Sequence, residues 1–189
     1  MAKQGTIIDA SMVEAPRQKI DKDERKELEE RGDVEDWSEP KRRQKDVDAK
    51  WTKKNDTAYF GYKNHISVDV ENKLIRKYEV TDASVHDSQV AEKLLDYSNS
   101  SGKIYADCAY KSKRFTNFLL TLGFIDLICR KASRFKQLSQ SEKRGNRTKS
   151  RVRSRVEHVF GMMKKCVGDL TIRTIGIVRA RAKIGLMNL

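Results

Sequence analysis

Residues 59–81 read YFGYKNHISVDVENKLIRKYEVT, and this stretch sets the architecture. Across Tyr59–Val70 apolar and polar side chains alternate. Phe60, Tyr62, Ile66, Val68 and Val70 fall on one face of an extended strand, with Lys63, His65, Ser67 and Asp69 opposite. Glu71-Asn72 supplies turn chemistry, and Lys73–Thr81 is the expected partner strand. Upstream, Gly5–Met12 (GTIIDASM) is β-branched and reads as a first strand, ended by Pro16. Downstream the period changes. Ser84–Tyr97 is expected to be a helix capped by Ser84, with Val90, Leu94 and Leu95 as its stripe. Lys103–Ala109 (KIYADCA) reads as a buried strand. Ser112–Leu122 reads as a helix closed by Gly123, and Phe124–Cys129 as a fifth strand. Lys131–Thr148 is polar, basic and Ser-rich, and is expected to be a loop. Lys149–Val167 carries the stripe Val152, Val156, Val159, Phe160, Met163 and Val167 of a strong helix, and Ile177–Leu189 reads as a short last one.

The order β-β-β-α-β-α-β-α predicts an α/β domain: a mixed five-stranded sheet flanked by helices. This is the element order of the RNase H-like fold. Residues 17–55 interrupt it. They hold 13 basic and 12 acidic residues and few large apolar ones beyond Leu28, Trp37 and Trp51. They read as a solvated, partly helical insertion without a core of its own. The domain proper is therefore 5–16 together with 56–189.

Charge narrows the function. The 189 residues carry 40 Lys+Arg and 27 Asp+Glu, a formal net charge of +13. Of these, 17 basic and 3 acidic residues lie in 130–189, so the rest of the chain is close to neutral. An excess confined to one third points to a polyanion, most often nucleic acid. No run of apolar residues is long enough for a membrane span or a signal peptide. Cys108, Cys129 and Cys166 are too scattered for a disulfide scaffold or a zinc ribbon, and they suit a reducing cytoplasm.

Three carboxylates stand out. Asp9 follows the apolar pair Ile7-Ile8 in the first strand, Asp107 sits in the fourth strand, and Glu157 lies on the basic helix. An ionised carboxylate inside an apolar strand is costly unless paired or bound to a cation. Oxygen-only ligands suit Mg²⁺ or Mn²⁺. Each carboxylate taken alone could equally cap a turn or pair with an arginine. On an ideal helix Arg153, Glu157 and Lys164 fall within roughly 60° of one another, so one face presents a carboxylate between two cations. That suits a metal beside a phosphodiester, and it equally suits a surface pair worth only tenths of a kcal/mol.

These segments carry a resemblance. IIDASMVEAP, YFGYKNHISVD, TDASVHDSQVAEKLL, YADCAYKSK and RVRSRVEHVFGMMKK resemble, in order, the blocks of bacterial insertion-sequence DDE transposases of the insertion-sequence-five and insertion-sequence-four type. The resemblance implies an RNase H-like catalytic domain with Asp9, Asp107 and Glu157 as the catalytic, metal-binding triad. It implies two Mg²⁺ ions, with Mn²⁺ as a substitute, and transposon-end and target DNA as substrates. It also implies a homodimer in the active complex and a cytoplasmic, nucleoid-associated location. The family's Tyr, Arg, Glu and Lys signature falls on Ser150, Arg153, Glu157 and Lys164, so the tyrosine is missing. Arg153, Lys164, Lys149, Arg151, Arg155 and Lys165 become the expected DNA contacts. Family members carry an N-terminal region that binds the terminal repeats, and this sequence resembles the C-terminal catalytic portion alone. The competing expectation is a non-catalytic DNA-binding remnant or regulator of transposition.

The remaining polar residues have plainer readings. His86-Asp87 is expected to cap a helix start, and His65 and Asp69 to be structural. His158 is expected to be packed or exposed, and Asp82 and Asp126 are spare carboxylates at strand ends.

Overall fold

The computed structural model describes residues 4–189 apart from 19, 32–35, 55, 100 and 134–136. A mixed sheet forms its centre. Strand β1 (Thr6–Glu14) pairs antiparallel along its whole length with β3 (Thr57–Asp69), from Thr6 opposite Asp69 to Glu14 opposite Gly61. On its other edge β1 pairs in parallel with β5 (Lys103–Ala106), which pairs in parallel with the short β6 (Ile125–Asp126). The outer edge of β3 is shared. Its second half holds β4 (Ile75–Asp82), as the alternation predicts, and its first half holds β2 (Lys50–Lys54).

β2 is the first departure from expectation, because the sheet has six strands and one comes from the charged insertion. Its lysines, Lys50, Lys53 and Lys54, are exposed, as suits an edge that must not recruit another strand. The insertion also contains α1 (Lys22–Arg31) and α2 (Glu39–Gln44). It is not coreless. Trp37 is buried, with Lys41 Nζ 4.3 Å above its ring. Glu24 ties the two helices through Lys41 at 2.6 Å and Lys45 at 2.9 Å, which hold its carboxyl down at about 2. Asp46 is 1% exposed and accepts from the Tyr62 hydroxyl at 2.8 Å and from the Asp48 and Ala49 N–H groups at 3.1 Å. Seated in this way, 46–54 is bound to the sheet by a fully partnered buried carboxylate.

The alternation on β3 sorts the core into two layers. Ile7, Tyr62, Ile66 and Val68 pack on one face beneath α5 (Arg155–Val167) and α6 (Ile177–Met187). Ile8, Ile104, Leu94 and Leu119 pack on the other beneath α3 (Lys113–Thr121) and two 3₁₀ turns. Those turns, Asp87–Gln89 and Ala91–Leu94, replace the α-helix expected over 84–97. The predicted stripe, Val90, Leu94 and Leu95, is buried together with Ala91, so the apolar pattern is satisfied by tighter turns.

The basic region differs most. The expected loop is helical from Gln140: α4 runs Gln140–Arg153. Ser139 and Glu142 form a reciprocal capping box at its start. The helix lacks buried residues, which is why hydrophobic periodicity missed it. Nor is the helix expected over 149–167 continuous. It breaks at Ser154, which separates α4 from α5. Val156, Val159, Phe160 and Met163 are buried as expected, while Val167 is exposed.

Candidate active site

The site forms where the parallel pairing of β1 and β5 stops. Thr6, Ile7 and Ile8 face Ile104, Tyr105 and Ala106. Asp9 and Asp107 are the next residues on each strand, so two carboxylates emerge side by side. Asp107 lies just past β5 rather than inside it. Its Oδ1 accepts the Ala109 N–H at 2.6 Å and caps the 3₁₀ turn Cys108–Tyr110. That turn carries the chain away from β1. β1 itself continues to Glu14, so its edge beyond Ile8 is free of β5, and α4 and α5 pack across it.

Asp9 is half-buried. Its Oδ1 accepts the Ala10 N–H at 2.9 Å, and its Oδ2 accepts Arg153 Nη1–H at 2.7 Å. The same Nη1 is 3.8 Å from Glu157 Oε1 across the break at Ser154. Burial pushes the Asp9 carboxyl above its ordinary value. The Ala10 N–H and Arg153 pull it back, and the charges of Glu157 and Asp107 push it further up. The three carboxylates are thus electrically coupled, with Arg153 between two of them.

Among the described residues no group of three carboxylate, histidine or cysteine side chains is disposed to hold a metal ion. Arg153, not a third ligand, faces Asp9. The donor chemistry is nevertheless that of a hard cation. The donors are all oxygen, burial makes Asp9 costly to ionise with two neighbouring carboxylates adding to it, and Glu157 is 64% exposed on the first turn of α5. These residues suit a divalent cation provided Arg153 gives up its hold on Asp9.

The expected DNA contacts separate into two groups. Arg151, Lys164 and Lys165 are exposed. Lys149 donates to the Ile128 carbonyl at 2.9 Å, and burial lowers its ammonium from the ordinary value. Arg155 donates to the Val70 carbonyl at 3.0 Å, holding α5 to the end of β3. Ser150, at the missing tyrosine, lies against Cys129, with Oγ and Sγ 3.6 Å apart. Lys143, Arg144 and Arg147, expected in a basic loop that adds salt-sensitive DNA affinity, are instead exposed on helical residues of α4 that the sequence reading missed. The Ser139–Glu142 capping spacing was the signal that could have found them.

The spare residues are accounted for locally. Asp126 accepts from Lys111, from Thr116 Oγ1 at 3.0 Å and from the Ile128 N–H at 3.0 Å. Asp82 accepts the Ser84 N–H at 2.8 Å, and Asp69 caps the turn after β3 through the Glu71 and Asn72 N–H groups. His86 caps the turn Asp87–Gln89, and His158 is exposed.

The family model described as transposase DDE domain matches residues 1–189. A transposase for insertion sequence element IS1106 from Neisseria meningitidis serogroup B is 29% identical over 181 residues, covering 94% of this chain. The chain spans 59% of that relative's length. No solved structure matches the chain. Among the described residues no helix is long and apolar enough to cross a membrane. With the family match running over residues 1–189, the chain belongs to the transposase DDE-domain family.

Proposed function

We propose that this chain carries the acidic centre of metal-dependent DNA cleavage and strand transfer, with Asp9, Asp107 and Glu157 as its catalytic residues. The observation that carries the reading is the emergence of Asp9 and Asp107 together at the end of the β1–β5 pairing, with Glu157 coupled to Asp9 from the helix above. The three would hold two Mg²⁺ or Mn²⁺ ions. When bound, such a pair activates a water or a 3′-hydroxyl and stabilises the leaving oxygen.

The protein's own contribution is placement. The end of β5 and its capped turn hold Asp107 in register with Asp9. Beyond Ile8 the edge of β1 is free of β5, and α4 packs there, which brings Arg153 to Asp9. Exposed Arg151, Lys164 and Lys165, with Arg144 and Arg147 along α4, neutralise the DNA backbone without reading bases. Arg153 is the exchangeable member. A guanidinium forks to phosphate as readily as to carboxylate, so an arriving phosphate draws it from Asp9. Lys149 and Arg155, tied to backbone carbonyls, fix the helices and touch DNA only secondarily. Two copies in the active complex would bring two element ends together.

The test is cleavage and strand transfer on duplexes bearing the ends of the encoding element, comparing the chain with its Asp107→Asn form. Retained activity in the variant sinks the triad. The second reading, a DNA-binding regulator without catalysis, is favoured by the Arg153–Asp9 pair, which already supplies Asp9 with a cation. Salt-dependent DNA binding without any Mn²⁺ uptake supports that reading instead.

A further inference from the structure

The helices α4 and α5 meet at Ser154 but are held to the sheet by different means. α5 buries Val156, Val159, Phe160 and Met163. α4 buries no residue, and its single aliphatic side chain, Val152, lies half-buried at the margin of the core. Polar contacts hold it instead, and four of its side chains reach one short segment, 128–130, just past β6. Glu142 Oε1 accepts Arg130 Nη1–H at 2.6 Å. Asn146 Oδ1 accepts the Arg130 N–H at 2.8 Å, and Asn146 Nδ2–H donates to the Arg130 carbonyl at 2.8 Å. Lys149 donates to the Ile128 carbonyl, and Ser150 lies against Cys129. The fifth side chain, Arg153, reaches Asp9. At about 100° per residue these five fall within roughly 100° of one another, while Arg144, Arg147 and Arg151 gather on the other side of the helix.

The segment 128–130 belongs to the frame of the acidic site. The Cys129 N–H donates to the Ala106 carbonyl at 3.1 Å, which continues the β5–β6 pairing up to the residue before Asp107. A bonded path therefore runs from the strand end that presents Asp107, through Arg130 and along α4, to Arg153 and Asp9. Asn146 is the unexpected member of this path. Asparagine favours caps and turns over helix interiors, yet it follows Gly145 in mid-helix, where no buried residue offsets the choice. Its carboxamide meets both backbone groups of Arg130, as an opposing residue does in an antiparallel ladder. Two directional bonds from one planar group fix orientation as well as distance.

We propose that Asn146 is a positioning residue of the acidic site: its two bonds to Arg130 set where α4 lies against the strand ends, and so where Arg153 meets Asp9 and an incoming phosphate. The inference rests on the reading of Asp9 as a catalytic carboxylate and of Arg153 as the group that trades it for phosphate. Asn146 acts through Arg153 and need not touch DNA.

Asn146→Leu removes both bonds, keeps the side-chain volume, adds no charge and favours the helix. Asn146→Gln keeps the amide on an arm one methylene longer. Thr148→Leu is the control, an exposed position on α4 whose hydroxyl donates within the helix, to the Arg144 carbonyl at 3.3 Å. The readouts are cleavage rate at saturating element-end duplex, duplex affinity, thermal midpoint and the NMR signal of the Arg153 guanidinium. Asn146→Leu is expected to lower the saturated rate by about 10–100-fold, the loss that a displacement of about 1 Å inflicts from outside the reacting centre. Its affinity and midpoint stay close to wild type, and its Arg153 signal moves as it does in Asp9→Asn. Asn146→Gln recovers part of the rate, and Thr148→Leu changes none of the four. A wild-type saturated rate or an unmoved Arg153 signal in Asn146→Leu overturns the proposal. So does a loss confined to affinity, a loss matched by a fall in midpoint, or an equal loss in Asn146→Gln or Thr148→Leu. Failure of the underlying triad registers separately, as cleavage retained by Asp107→Asn.

Discussion

Two tyrosine–aspartate neighbourhoods lie on the same sheet and behave oppositely. At the β2–β3 corner, Asp46 accepts the Tyr62 hydroxyl and two backbone N–H groups, and both side chains are sealed. At the β1–β5 end, Asp9 accepts one arginine and one backbone N–H, Asp107 caps a turn with one oxygen, and the Tyr110 hydroxyl has no hydrogen-bond partner among the described residues. Residue types are similar, but Asp46 is buried whereas Asp9 and Asp107 are half-buried. Completeness differs with it. A closed polar cluster holds the insertion on the sheet, whereas an open one keeps bonding capacity that folding does not use. Buried polar groups left unsatisfied cost stability.

The contrast can be broken most forcefully at Asp107. Asp107→Asn is expected to cut DNA cleavage by ~10³-fold, the several kcal/mol that metal-ion charge stabilisation supplies, while the chain unfolds at nearly the same temperature. A steady-state cleavage assay beside a melting curve reads both.

At the closed corner the signs reverse. Tyr62→Phe strips Asp46 of its hydroxyl donor and is expected to cost about 1–3 kcal/mol in urea unfolding, with DNA affinity intact. An unchanged midpoint would show that Asp46 does not need Tyr62, and the comparison would collapse.

A subtler difference appears with pH. Burial, with Lys63 adding to it, lowers His65 to about 4 from its ordinary 6.5, although Asp87 and Glu79 oppose this. The unfolded chain therefore takes up a proton between those values that the folded chain refuses. His65 contributes stability in full above pH 6.5, and that contribution is lost as pH falls toward 4. His65→Gln is expected to flatten the stability profile over this window. A profile as steep as the wild type's would show that burial at His65 does not exclude protons.

The smallest effects belong to the helical surface. Arg147→Gln and Arg151→Gln are each expected to reduce the slope of log affinity against log salt by about one, uniformly across DNA sequences. Sequence-dependent losses would mean that α4 reads bases.

Much of this was legible before folding. The alternation over Tyr59–Val70, the order of the five expected strands, and Asp9 within the first of them survive in three dimensions, while Asp107 falls just past its strand. What escaped notice shares a cause. β2 and α4 bury little, and periodicity reports only what is buried. The helix expected over 84–97 has the right buried residues in the wrong geometry, since an apolar stripe does not distinguish an α-helix from successive 3₁₀ turns packed on a sheet. The break at Ser154 and the reach of Arg153 back to Asp9, 144 residues away in sequence, leave no local trace.

The chain by itself determined which residues bury, which acids stand in apolar strands, and where the positive charge gathers, because these follow from composition and spacing. Only the tertiary structure decided which polar groups are spent. Tyr62 and Tyr110 look alike in sequence, and their hydroxyls differ because a hydrogen bond depends on what the fold brings within about 3 Å of an oxygen.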